Sequence, residues 1–347
     1  MASVHPGDAG DVPNCLHYPR PMADDAVRVS VVVPTCNRSQ RAVRLLEALA
    51  KQDLDEPFEV VVVDDRSRDD TVERLGAMTS SLPYRLRVVT SVKNTGPAGA
   101  RNRGWQAAVA PFVVFTDDDC VPDAGWLRAL VAGLEQADIA VGRTRPPVDQ
   151  LQNIGPFSHY LDMDHNQSFS TCNIGYRRTV LEAMGGFDAE GFAWPNGEDT
   201  DLGLRALKAG FSDDFVPDAL MWHDVEPSSF RTHYRRVPRL DGIVAMVARH
   251  PETRAYMNAG WFLRSVDKAV LVAWAAAASL AVRPRSPLAR LFGVVAVILY
   301  IWQFNKAYNR ARSVGEWAAA VPLGFVADSR TVLVMMRSSV RHRTVLL

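Results

Sequence analysis

Carboxylates are concentrated at three points of this chain, each next to a stretch with the composition of a buried element. Asp117, Asp118 and Asp119 close the run PFVVFT, Asp64 and Asp65 close FEVVVV, and Glu198, Asp199 and Asp201 follow Gly197 in NGEDTDLGLRALKAG. Adjacent carboxylates repel one another unless a hard divalent cation neutralises them. Mg²⁺ and Mn²⁺ prefer oxygen ligands and also hold substrate phosphates. The aspartate triplet therefore suits a metal-bound nucleotide diphosphate, with Mn²⁺ or Mg²⁺ as cofactor. Two plainer readings stand beside this one: Asp119 or Asp123 as the cap of a helix in DAGWLRALVAGL, and Asp65 as the start of a turn.

Such clusters need elements to bring them together. RVSVVVP (28–34), FEVVVVDD (58–65), YRLRVVT (84–90) and PFVVFTDDD (111–119) read as strands. The stretches 39–51, 70–79 and 99–110 between them read as helices, with Asp70-Thr71 as an N-terminal cap. The alternation βαβαβαβ predicts an α/β fold with a mostly parallel, Rossmann-like sheet, and near-continuous valine is what burial on both faces requires. In open sheets of this kind, ligands bind beyond the carboxyl ends of the strands. Pro34-Thr35-Cys36-Asn37-Arg38, Asp64-Asp65-Arg66-Ser67 and the triplet all lie at that edge and are expected to converge.

Composition narrows the class without choosing a substrate. The 347 residues are 48% hydrophobic, enough for a large α/β domain and a smaller unit, and this excludes disorder as the main state. Lys+Arg and Asp+Glu both number 39, so the charge gives no reason to expect a nucleic-acid partner. Cys15, Cys36, Cys120 and Cys172 form no CxxC pair, which argues against a zinc motif or a disulfide framework and for a reducing compartment. The start, MASVHPGDAGDVPNC, lacks the features of a secretory signal, and residues 1–27 read as a loose tail.

VSVVVPTCNR, VVVDDRS, GPAGARNRGW, FTDDDCVPDAGWL, CNIGYRRTVLEAMGGFD and GEDTDLGLRALKAG, in that order, resemble the inverting nucleotide-sugar glycosyltransferases of family 2, which have the GT-A fold. The resemblance covers residues 28–236 and implies a catalytic domain there, with a nucleotide-binding half (28–120) and an acceptor half (121–236). It implies a nucleotide-sugar donor bound by Pro34, Thr35, Arg38, Asp65, Arg101, Asp117 and Asp118. Thr35 and Asp65 would lie on the base and Arg101 near the nucleotide. Asp117 and Asp119 match the family's DxD pair as metal ligands, although three consecutive aspartates allow the roles to shift by one, and His223 stands where a histidine often completes the metal site. A hydrogen-bonded structural histidine is the other reading of His223.

The family's ED pair implies Asp199 as the base that takes the acceptor hydroxyl proton, with Glu198 orienting the acceptor. The helix dipole is expected to keep Asp199 ionised, and favourable dipole contact alone accounts for Asp201. Asn173 and Arg177-Arg178 lie in a segment that resembles the acceptor side. Two alternatives remain: a nucleotidyl or phosphoryl transferase, against which no G-x-x-x-x-G-K-[ST] loop is present, and an inactive nucleotide-sugar-binding scaffold, against which the DxD and ED pairs are intact.

Residues 237–347 differ in character. Ala269–Val282 and Leu291–Trp302 are apolar runs of 14 and 12 residues separated by RPRSPLAR, short of the ~20 that cross a bilayer. They suggest a hairpin in one leaflet or in the interface, with two buried soluble helices as the alternative. The basic, amphipathic VADSRTVLVMMRSSVRHRT favours an anionic surface. The expected setting is the cytoplasmic face of a membrane, and the expected acceptor a glycan or a lipid-linked molecule.

Overall fold

The valine-rich runs form the expected strands. The structure, a computed structural model, describes residues 15–16, 27–164, 168–192, 195–308, 311 and 313–347, so most of the expected tail lies outside it. Strands β1 (Cys15–Leu16), β2 (Val29–Thr35), β3 (Phe58–Asp64), β4 (Arg85–Thr90) and β5 (Phe112–Phe115) are separated, after β1, by helices α1 (Ser39–Leu49), α2 (Thr71–Met78) and α3 (Gly96–Ala107). Strands β4, β3, β2 and β5 lie side by side and parallel, with Thr35 opposite Asp64, so their carboxyl ends share one edge. β1 adds antiparallel to β4.

Side-chain alternation serves two cores. Val29, Val31 and Val33 pack with Leu45, Leu46 and Leu49 of α1, whereas Val32, Val61 and Val63 pack with Trp105 of α3. α2 is capped by Asp69 rather than Asp70: the Asp69 carboxylate accepts the Thr71 N–H at 3.2 Å, and Asp70 pairs with Arg74.

The second half contributes β6 (Cys120–Pro122), α4 (Trp126–Gln136), β7 (Ile139–Arg145), β8 (Ile174–Arg177), α5 (Arg178–Met184), α6 (Glu198–Lys208) and β9 (Asp213–His223). It mixes antiparallel pairs with one parallel pair, β7 with β9. Among the described residues the sheet has nine strands in the order β1-β4-β3-β2-β5-β8-β7-β9-β6. β8 is antiparallel to β5 and β7, and β6 pairs antiparallel with β9, which sets Cys120 opposite His223. Gly125 begins α4 with no side-chain cap, so neither Asp119 nor Asp123 is spent there.

The core does not stop at Arg236. After α7 (Phe230–Arg236) and a 3-10 turn (Val237–Leu240), α8 (Asp241–Arg249) places Val244 and Val247 in the core of the α/β sheet, joined by Met335 and Leu346. Helices α9 (Ser265–Val282), α10 (Pro287–Tyr308) and α11 (Val314–Arg341) have 18, 22 and 28 residues, and each is long and apolar enough to cross a membrane.

The apolar runs are thus parts of longer helices, α9 and α10, which pack on each other as a hairpin, and most of the basic stretch lies within α11. The helices continue through charges because the charges are paired: Arg264 lies 2.7 Å from Asp267 and 2.9 Å from Asp328, and Tyr300 and Tyr308 donate to Asp328. Lys306 of α10 lies over the Trp302 ring at 3.8 Å. The face of α10 bearing Leu288, Val295, Ile298 and Trp302 is exposed, as a lipid-facing surface would be.

Candidate active site

At the carboxyl edge, the residues singled out in the sequence line one cleft of about 780 Å³: Pro34, Thr35, Arg38, Asp65, Arg101, Asp117, Asp118, Asp119, Glu198, Asp199 and His223. The three aspartates, adjacent in sequence, point to different sets of partners, with Arg38 shared by Asp118 and Asp119. Asp117 accepts from Arg101 Nη2 at 2.7 Å. Asp118 is buried and accepts from Thr35 Oγ1 at 2.7 Å and Arg38 Nη1 at 2.8 Å; burial pushes its carboxyl above the usual range, against the pull of Arg38. Asp119 meets Arg38 at 3.2 Å, Arg41 at 3.3 Å and His223 Nε2 at 3.5 Å. Charge repulsion is thus relieved by divergence and by arginines.

A carboxylate oxygen of Asp119, Cys120 Sγ and His223 Nε2 or Nδ1 lie within 4.8 Å of one another. His223 Nδ1 is 2.9 Å from the Asp224 carbonyl oxygen, which fixes an N–H there and turns Nε2 toward Asp119, where the neutral ring presents its lone pair. Burial works against a charged His223, but Asp119, Cys172 and Asp117 outweigh it and hold the ring above its ordinary value. An oxygen and an imidazole nitrogen so placed fit Mn²⁺. Asp117, committed to Arg101, is not one of these clustered donors. Cys120 joins them through the β6–β9 register, which no cysteine spacing in the sequence could reveal.

Asp65 holds the start of α3, accepting from Thr95 N at 2.9 Å and Gly96 N at 2.8 Å, and this fixes the GPAGARN turn against the cleft. Across the cleft, α6 begins at Gly197, whose φ of +94° and whose 2.9 Å gap between a built Cβ and the Gly242 carbonyl oxygen admit only glycine. Glu198 accepts from Asn196 N at 2.7 Å and from Arg101 Nη1 at 3.4 Å. Arg101 therefore spans from the aspartate triplet to the start of α6.

The family profile described as Glycosyl transferase family group 2 matches residues 112–305, over half of the chain, and Glycosyl transferase family 2 matches residues 30–185. The chain belongs to the family 2 glycosyltransferases. Among its relatives, the pre-mycofactocin glycosyltransferase of Mycobacterium tuberculosis is 28% identical over 88% of this chain and 66% of its own length, so this chain spans just under two thirds of that protein. Validoxylamine A glucosyltransferase of Streptomyces hygroscopicus subsp. jinggangensis is 29% identical over 61% of this chain and 58% of its own. The mannosyltransferase of Pyrobaculum calidifontis, solved with GDP-Man and Mn²⁺, superposes with a TM-score of 0.52 at 19% identity, over 94% of this chain and 91% of that one. That likeness is one of fold, and the fold is GT-A.

In this glycosyltransferase the helix start does not hold Asp199 in the ordinary carboxylate range, contrary to expectation. Burial, and then the Glu198 charge, push its carboxyl up to about 7, against the Thr200 N–H that it accepts at 2.8 Å. It nevertheless keeps some surface open to the cleft. Asp201 is structural: it is buried and held by Arg205 at 2.8 Å and His250 at 3.0 Å, which ties α6 to the end of α8.

The acceptor-like segment also proves structural where it was singled out. Asn173 is buried between Trp126 Nε1 and the carbonyls of Arg143 and Ala219. Arg177 donates to the carbonyls of Leu134 and Ala137 around the end of α4, and Arg178 to those of Ala108 and Ala110 just past α3. The sequence reading missed the far wall of the cleft, which includes His159, Glu226, His233, Arg236, Arg239 and Arg264. Its signal was the basic run HYRRVPR, which lies across the place where the catalytic region was taken to end.

Proposed function

We propose that this chain is a metal-dependent inverting glycosyltransferase that moves a sugar from a nucleotide-diphosphate donor to a hydroxyl of a membrane-linked acceptor on the cytoplasmic face. The observation that carries the reading is the Arg101 bridge, which sets Glu198 and Asp199 across the cleft from the aspartate triplet. The GT-A neighbour with GDP-Man and Mn²⁺ supports the donor class, and the apolar helices support the membrane setting.

In this account Thr35, Arg38, Asp65 and Asp118 form the nucleotide side, and Pro34 shapes its floor. Asp119 and His223 would hold a divalent cation that offsets the charge of the leaving diphosphate. Asp199 accepts the acceptor hydroxyl proton as its oxygen bonds the anomeric carbon from the opposite face. The bond from that carbon to the diphosphate breaks with its electron pair, and configuration inverts. Glu198, held by Arg101 and Asn196 N, keeps the segment before Asp199 in place. The cleft lining binds substrate and excludes water at the reacting carbon.

Thermal stabilisation by UDP-, GDP- and TDP-sugars, each with and without Mn²⁺, tests the reading. Stabilisation by one nucleotide class that requires Mn²⁺ and is lost in Asp119→Ala is expected. Stabilisation indifferent to Mn²⁺ would remove the metal from the account.

A further inference from the structure

Two of the three aspartates that follow β5 are already committed. Asp117 is held by Arg101 at 2.7 Å, and Asp118 by Thr35 and Arg38 at 2.7 and 2.8 Å. Asp119 divides its two oxygens: Arg38 and Arg41 meet Oδ2, while Oδ1 faces His223 Nε2 at 3.5 Å. The third donor at that point is a sulfur. Cys120 stands opposite His223 in the antiparallel β6–β9 register, so both side chains leave the same face of the sheet. Cys120 Sγ, a carboxylate oxygen of Asp119 and a ring nitrogen of His223 lie within 4.8 Å of one another. Asp119 and His223 line the cleft, and Cys120 is fully buried behind them. Cys172, in hydrogen-bond contact with Cys120, is outside this group, and its sulfur lies 3.4 Å from Ser170 Oγ and 3.6 Å from Thr144 Oγ1.

We infer that Cys120 is a ligand of the divalent cation at this site, and that its sulfur turns the site's preference from Mg²⁺ toward a thiolate-binding ion of the Zn²⁺ or Co²⁺ kind. The inference rests on the metal-dependent glycosyltransferase reading and adds a ligand to it. Mg²⁺ demands near-ideal octahedral coordination by oxygens, several of them from water. One carboxylate oxygen with a nitrogen and a sulfur is instead the donor type of catalytic zinc, where three side chains hold the ion and a further position stays open. The open side here is the cleft, from which an oxygen of the leaving diphosphate would complete the set. As the ion binds, the thiol proton passes to solvent and the sulfur adds as thiolate.

The test is a Co²⁺ titration of the full chain in detergent, stripped of metal by a chelator and kept reduced with a phosphine, alongside calorimetry of UDP and GDP with and without Zn²⁺. A near-ultraviolet sulfur-to-Co²⁺ charge-transfer band is expected in the unmodified chain and in Cys172→Ser, and its loss in Cys120→Ser and Cys120→Ala. Those two variants should bind Zn²⁺ at least ~10²-fold more weakly, because loss of a partner outside the ligand shell alone costs about 10- to 100-fold. Their Mn²⁺ affinity, read by electron paramagnetic resonance, should fall by no more than about threefold, since sulfur contributes little to that ion. No band in the unmodified chain overturns the inference, whether or not the variants fold. A band that survives in Cys120→Ala and disappears in Cys172→Ser assigns the sulfur to Cys172 and overturns it as well. Equal losses of Zn²⁺ and Mn²⁺ affinity would reduce Cys120 to a packing role and overturn the metal preference. If the band is present but UDP and GDP bind equally with and without metal, the ligand assignment stands and the metal-dependent reading of the transfer falls.

Discussion

Arg101 donates from Nη1 to Glu198 Oε1 at 3.4 Å, across a separation of 97 residues, while its Nη2 holds Asp117 at 2.7 Å. Arg101 and Glu198 are both buried, so each needs the other to offset its desolvation. Planar guanidinium geometry lets one side chain reach two carboxylates, which a lysine cannot reproduce.

Arg101→Ala is expected to destabilise the protein by about 3–5 kcal/mol, because it leaves Glu198 charged, buried and without its cation. Arg101→Lys should recover part of the stability but little of the activity. Unfolding curves and nucleoside-diphosphate release measured on both variants check this, and a wild-type melting temperature for Arg101→Ala would show that the bridge has no structural weight.

Asp199 makes activity depend on pH in a definite direction. With its carboxyl raised to about 7, the base is protonated at lower pH, so kcat/KM should rise with pH through about 7. Stability runs the other way. The folded chain holds that proton more tightly than the unfolded chain, whose aspartates titrate near ~3.9, so stability from this group is lost as pH rises from about 4 to about 7. Asp199→Asn should therefore melt above the wild type at pH 8, and the gap should close as pH falls toward 4. Melting temperatures across that range decide the matter.

The helical region should not be separable from the catalytic one. Met335 and Leu346 sit in the core of the α/β sheet, Leu263 and Trp261 exchange backbone hydrogen bonds with Leu347, and Asp241 holds Ser338 and His342. The full chain is expected to stay in the membrane pellet after alkaline carbonate washing. Deletion of 262–347 should give insoluble protein rather than a released soluble enzyme. Recovery of a soluble, nucleotide-binding fragment would contradict the shared core.

The parts of this architecture that could be read from sequence are those written locally. Valine runs such as FEVVVV declare strands buried on both faces, and aspartates just beyond them lie at the ligand edge whatever the details of packing. The antiparallel pairing of β6 with β9, by contrast, depends on contacts about a hundred residues apart. No local pattern shows that Cys120 will face His223, or that Asn173, Arg177 and Arg178 will be used to satisfy backbone carbonyls and a buried indole. The helices were underestimated for a related reason. Asp267 interrupts hydropathy in sequence, but in space it is neutralised by Arg264, itself shared with Asp328 some sixty residues on.

The most direct measurement compares Asp199→Asn with Asp119→Asn, reading turnover and Mn²⁺-dependent nucleotide affinity side by side in membranes that supply the acceptor. Asp199→Asn keeps the size of the side chain and loses its proton affinity, so turnover should fall by ~10²-fold or more with nucleotide affinity unchanged. Asp119→Asn should weaken nucleotide binding as well. Near-normal turnover in Asp199→Asn would place the base elsewhere, and loss of nucleotide affinity in that variant would assign the start of α6 to the donor rather than the acceptor side.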